Sequence, residues 1–313
     1  MFLRMIAAAR LAFIAGLAPA SADNSGDGFA AISMTLKSAI ADTGARGDAL
    51  LIGNKDSIFY VETSGKADFG TPVRLAPKSD IAALMLTMSL VDSGFIGLDD
   101  PARNYLSLGK SDPFAKSTVR ALMITRASGG ELADRAAKTL VSVAESATAR
   151  PWDSLFSEWI AKPLALSGSS YPQPQGLSKA LGAKQSADTL ATNARDYARL
   201  LSVLANKGTQ NGVQILTANS ASQLFRAAMI GGASCSRVDE TGACALLEQD
   251  EVGLYGWVDR TRGLYGVLIA PGSEISVAKA GRAIRAQAET IIDREQAGAG
   301  LTAATRNEHS RAR

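Results

Sequence analysis

Strand-forming segments lie near the two ends of this 313-residue chain and are scarce between them. Ala49-Leu50-Leu51-Ile52-Gly53 and Ser57-Ile58-Phe59-Tyr60-Val61 are short apolar runs, and the polar Asn54-Lys55-Asp56 between them predicts a hairpin. A second pair, residues 254–258 and 263–270, is joined by Asp259-Arg260-Thr261-Arg262. From about residue 99 to residue 245 the signals are helices and loops, clearest as helices at 140–149, 152–161 and 194–204. Helices also flank the strands. One spans 29–43 and is stopped by Gly44 and Gly47; a last one spans about 276–295. Another is opened by Pro77, whose missing N–H costs nothing in a first turn, and runs to about Asp92, with Ile81, Leu84, Met85 and Met88 repeating at helical spacing.

This order predicts an α/β (α+β) fold in which the two ends of the chain form one antiparallel sheet flanked by helices, around an inserted all-helical lobe. The sheet lobe takes residues 23–76 and 246–295, and the helical lobe 77–245. A cleft between them is the default binding site. The stretch 296–313, built of Ala, Gly and charged residues, is expected to be disordered.

Charge and composition exclude several functions. With 33 basic and 30 acidic side chains the chain has no basic footprint for nucleic acid. Arg4 and Arg10, the apolar run 11–17 and the small-x-small Ala20-Ser21-Ala22 predict an export signal over 1–22, with an uncleaved anchor as the alternative. The expected location is the periplasm or the exterior, without a stable membrane span after signal cleavage. Cys235 and Cys244 are close in sequence among Gly and polar residues and suit a disulfide closing a surface loop, free thiols being the alternative. The single histidine, His309, lies in the tail, so neither a Ser-His-Asp triad nor a His-ligated zinc site is expected. No metal and no cofactor are expected.

Five segments share an order with one known family. Residues 90–106, Leu-Val-Asp-Ser-Gly-Phe-Ile-Gly-Leu-Asp-Asp-Pro-Ala-Arg-Asn-Tyr-Leu, resemble its "LV-x-x-G-x-[LI]-x-LDDP-x-x-x-YL" segment. Residues 118–129 resemble "TIR-x-LLTHTSG", with Arg126 where the family often has a structural histidine. Lys162-Pro163-Leu164-Ala165-Leu166 resembles "PLGM", residues 190–200 resemble "[LM]-x-[ST]-T-A-x-DLARF", and 256–260 with 264–268 resemble a late "PWID…YGVL" hairpin. The chain thus resembles the serine β-lactamase and penicillin-binding-protein family, in particular the class C β-lactamase-related serine hydrolases, over roughly residues 23–295. The resemblance implies the β-lactamase/transpeptidase-like fold.

The resemblance also implies catalysis by a serine on a buried helix with a lysine one turn later, on the same helix face. Counting from the matched segment puts these at 77 and 80, where this chain has Pro77 and Asp80. A Tyr-x-Asn element falls at Leu132-Ala133-Asp134, and a Lys-Thr-Gly or His-x-Gly strand, which binds substrate along its edge, near Glu248-Gln249-Asp250. Proline offers no nucleophile, leucine relays no proton, and acidic residues repel a substrate carboxylate. No catalytic residue is therefore assigned.

Other serines give weaker alternatives. Ser79 points away from the position of residue 77 on a helix. Ser107-Leu108-Gly109-Lys110 and Ser276-Val277-Ala278-Lys279 match Ser-x-x-Lys literally, a pattern short enough to recur by chance. Asp99 and Asp100 suit helix capping better than metal binding. The tryptophans Trp152, Trp159 and Trp257 suit cores. Asp80, Asp134, Glu248 and Asp250 are candidate cleft residues; gathered together they favour a cationic or amine-bearing ligand. The expected function is a non-catalytic relative that binds a small molecule, a cell-wall peptide or a periplasmic partner. The alternative is an active esterase or amidase with a displaced nucleophile.

Overall fold

A computed structural model describes residues 27–41, 43–75, 80–109, 111–126, 128–171, 190–226, 233–273 and 275–311. The expected export signal, Pro77, Ser79 and Lys110 lie outside the described residues. Helix α1 (Asp27–Ile40) leads into β1 (Gly47–Asn54) and β2 (Ile58–Gly65). Asn54 shapes their turn, its Oδ1 accepting from the backbone N–H groups of Asp56 and Ser57 at 2.9 and 3.0 Å. After the two-residue β3 (Val73–Arg74) come α2 (Ile81–Asp92), α3 (Val119–Arg126), α4 (Glu131–Thr148) and α5 (Trp152–Phe156), which continues as a π-helical turn, Ser157–Ala161. Then follow β4 (Ala191–Thr192), α6 (Ala194–Ala205), a small ribbon of β5 (Thr209–Gln210) and β6 (Val213–Gln214), and α7 (Ala218–Leu224). The chain closes with β7 (Ala233–Val238), β8 (Cys244–Glu251), β9 (Leu254–Asp259), β10 (Leu264–Ile269) and α8 (Ala278–Arg311).

Six strands form one antiparallel sheet in the order β2-β1-β10-β9-β8-β7, so the two ends of the chain meet where β1 pairs with β10. Alternation along the strands gives the sheet two buried faces. Leu50, Ile52, Tyr255, Trp257 and Leu268 pack with Ile32 and Leu36 of α1 and Val277, Ile284 and Ala288 of α8. Ala49, Leu51, Leu247, Val258 and Val267 face the other way, in one core with α2, α3, α4 and α6. Helix α2 is buried on nearly every side, including Ile81, Leu84, Leu86, Met88 and Leu90, which makes it the central post of the helical half.

Four expectations change. Helix α2 starts at Ile81 with Asp80 as its N-cap rather than opening at Pro77, because the Asp80 side chain satisfies the N–H of Ala83. The second part of the sheet starts at Ala233, not at 246, because β7 pairs with β8. Helix α6, counted with the helical lobe, packs on β1, β9 and β10. The last helix runs to Arg311, past its expected end at about 295. That stretch contains many good helix formers, so propagation from a docked helix needs no new nucleus.

Candidate functional site

The position that the resemblance gives to a catalytic lysine holds a buried carboxylate. Asp80 is 0% exposed and sits at the junction of α2 with the chain coming from β3. Its Oδ1 accepts from Ala83 N at 3.0 Å, and its Oδ2 accepts from the Tyr171 hydroxyl at 2.6 Å. Arg126, the last residue of α3, is also buried and donates through Nη1 to the Asp80 carbonyl oxygen at 2.9 Å. Trp152 and Phe156 meet the Tyr171 ring edge-on, at 5.7 and 5.0 Å between centroids, and hold the phenol in place.

Burial pushes the Asp80 carboxyl above its usual range, against the pull of the Arg126 charge and of hydrogen bonds from Tyr171 and the backbone. Burial, and then the charge of Asp80, raise Tyr171 far above the usual phenol range. Tyr197, on α6, is raised in the same way. Both phenols therefore stay protonated at physiological pH and neither supplies a phenolate base. The Tyr197 hydroxyl is already engaged, donating to Gln249 Oε1 on β8.

The space beside these groups is closed. A void of about 10 Å³ lies among Ala83, Thr87, Arg126, Leu140, Trp152 and Tyr171, about the room of a single water. Tyr171 also borders a groove of about 370 Å³, walled by Phe156, Ser157, Lys162, Leu166 and Ser169. Its loop is pinned from α6: Asp196 Oδ2 accepts from Gly168 N at 2.7 Å and from the Ser169 hydroxyl at 3.0 Å.

Of the four acidic cleft candidates, Asp80 alone belongs to this cluster. Asp134 is exposed on the first turn of α4, next to Leu132, which is 50% exposed. Glu248 points to the opposite face of the sheet. It lies opposite Trp257 in the ladder and accepts hydrogen bonds from Ser236, Tyr255 and Arg285, the last from α8. Asp250, two residues on, shares that face and accepts from the Ser276 hydroxyl at 2.6 Å. The side chain that β8 turns toward α6 in this stretch is Gln249. The acids are not gathered, so the expectation of a cationic ligand loses its basis.

Other sequence candidates prove structural. Cys235 and Cys244 form a disulfide. Asp99 and Asp100 do not cap a helix: Asp99 forms a two-point pair with Arg120, at 2.7 and 3.0 Å, and Asp100 accepts from Tyr105 at 2.6 Å. Ser276 opens α8, accepting from Ala278 N at 3.1 Å, and Lys279 is exposed. The stretch following Tyr105 through Gly109 is not helical, so Ser107 has no helical turn to carry a lysine beside it. Among the described residues no group of three or more His, Cys, Asp or Glu side chains is placed to hold a metal ion, and no helix is long and apolar enough to cross a membrane. Tyr171 and Tyr197 were not among the sequence candidates, and Gln249 entered only as the middle residue of Glu248-Gln249-Asp250. For Arg126 a signal was present: it follows Leu122 and Met123 at helical spacing on the buried side of α3.

By sequence, the chain matches no family model and no curated protein. By structure it is similar to a candidate β-lactamase from Bacteroides dorei, with a TM-score of 0.72 and 19% identity over 85% of this chain and 99% of that one. A family VIII carboxylesterase matches at 0.64 and 15% identity over 85% and 98% of the two chains. The octameric penicillin-binding protein homologue from Pyrococcus abyssi matches at 0.62 and 13% identity over 84% and 77%. The fold is that of the β-lactamase and transpeptidase class, a mixed α/β molecule around an antiparallel sheet.

Proposed function

We propose that this chain is an exported, non-catalytic relative of the β-lactamase-like serine hydrolases, acting by binding a cell-wall peptide or a periplasmic partner. The observation that carries this reading is Asp80. It stands where the resemblance places the lysine that activates the serine, yet it caps α2 from a fully buried position and is tied to Tyr171 and Arg126. A buried carboxyl held in this way lowers no nucleophile's pKa and is closed to solvent. Two further features support the reading. The strand edge of β8 at Glu248 and Gln249, where the resemblance puts substrate, is already paired with Ser234 and Ala233 of β7. Leu132, at the position of a proton-relaying tyrosine, has no acid–base chemistry. The groove beside Tyr171 has room for a small ligand.

The test pairs turnover with binding. Hydrolysis of nitrocefin and of p-nitrophenyl butyrate is expected at the buffer rate, whereas soluble muropeptides are expected to give a saturable calorimetric signal. Enzyme-dependent turnover of either reporter contradicts the reading and restores the displaced-nucleophile alternative.

A further inference from the structure

Strand β7 is attached to the sheet differently from the five strands beside it. Those strands bury apolar side chains on the sheet faces, whereas Ser234, Cys235 and Ser236 of β7 are exposed and Val238 is 60% exposed. Its ladder with β8 is interrupted twice, between Cys235 and Arg237 and between Arg237 and Val238. Little hydrophobic burial therefore holds it. What does hold it is a set of side-chain ties. Ser236 donates to Glu248, Arg237 pairs with Asp259 at 2.5 Å and approaches Glu289 at 3.7 Å, and the Cys235–Cys244 disulfide closes the hairpin. The hairpin turn is polar and held by Asp239, which accepts from Thr241 N and Ala243 N at 2.9 and 3.0 Å.

From this arrangement we infer that β7 is a redox-released strap over the edge of β8. In the oxidised chain the disulfide keeps β7 docked and the backbone of β8 at 247–249 covered. A dithiol reductant transfers two electrons and two protons to the cystine, giving two thiols and its own cyclic disulfide, and β7 then opens locally. Opening leaves the N–H and C=O groups on that edge of β8 without partners, the condition under which an edge accepts another extended segment. The freed edge adjoins Gln249, whose side chain receives the Tyr197 hydroxyl, so release uncovers the rim of the buried polar cluster. This inference does not depend on whether the chain is catalytic.

Hydrogen-exchange mass spectrometry on the full chain tests it, before and after treatment with dithiothreitol. Loop-closure entropy for so short a loop corresponds to opening on the order of one hundredfold more frequent in the reduced chain. Exchange across 233–238 and at the β8 amides bonded to β7 is expected to accelerate accordingly, with β1, β9 and β10 unchanged, and reoxidation is expected to restore protection. The Cys235→Ser/Cys244→Ser variant, left untreated, is expected to match the reduced chain. Unchanged exchange in β7 overturns the strap. Loss of protection throughout the sheet also overturns it, because the disulfide is then a staple for the whole fold.

Discussion

The Tyr171 hydroxyl donates to Asp80 Oδ2 at 2.6 Å, joining the cap of the central helix α2 to a loop 91 residues later in the chain. The bond is charge-assisted when Asp80 is ionised and lies wholly out of water. Tyr171→Phe leaves the aromatic packing on Trp152 and Phe156 and removes only the donor. A loss of about 1–3 kcal/mol is expected in urea unfolding. Asp80→Asn in the same background should cost less than it does alone, because the two residues share one interaction.

Restoring the residue type that the resemblance expects should harm the protein. Asp80→Lys removes the α2 cap and buries a second cation beside Arg126. A penalty of about 4 kcal/mol or more is expected, seen as a sharp fall in Tm or as loss of folded protein. Equal stability of the variant and the parent would mean that the site is open to water.

Two of the buried carboxylates, Glu248 and Asp80, should respond to pH with opposite signs. Burial works against the ionised form of Glu248, but hydrogen bonds from Ser236 and Tyr255 and the charge of Arg285 outweigh it and hold the carboxyl below its usual range. Its contribution is present above the unfolded value of about 4.3 and is lost as pH falls through the folded value. The stability gap between parent and Glu248→Gln should therefore shrink on acidification. Asp80 is shifted upward, mainly by burial. Its contribution is full below the unfolded value of about 3.9 and is lost as pH rises through the folded value, so Asp80→Asn should gain on the parent as pH rises. Urea titrations from acid to neutral pH read both slopes.

Docking of α8 depends on close approach at Gly281. A Cβ there would lie 2.0 Å from Tyr255 Cδ1, inside the core that carries Trp257. Gly281→Ala should cost about 1–3 kcal/mol by overpacking, despite alanine's better helix propensity. Gly94→Ala isolates the backbone effect: its φ is +75° but open space surrounds the added Cβ, so any loss there is conformational strain.

The fold was legible where local chemistry decides it. Both hairpins, their Asn and Asp turns, the apolar α2 and the Cys235–Cys244 pair could be read from short windows of sequence. The site was harder, for a geometric reason. A strand turns successive side chains to opposite faces, so placing Glu248 in the cleft required the strand phase to one residue, and the phase favoured Gln249. Asp80 could be named as a candidate from its place in the sequence, but its partners Arg126 and Tyr171 are 46 and 91 residues away and no local pattern pairs them. Asp99 misleads because aspartate caps helices and pairs with arginine equally well, and only the placement of Arg120 decides between the two; Asp100 is taken instead by the Tyr105 hydroxyl.

We propose that the buried Asp80 cluster stands in place of acyl-transfer chemistry. Intact-mass analysis tests it most directly, after incubating the folded protein with a penicillin and, separately, with a fluorophosphonate, beside an active relative that labels. An unchanged mass is expected with both reagents. A stoichiometric adduct on a mapped serine would contradict it and would identify the nucleophile.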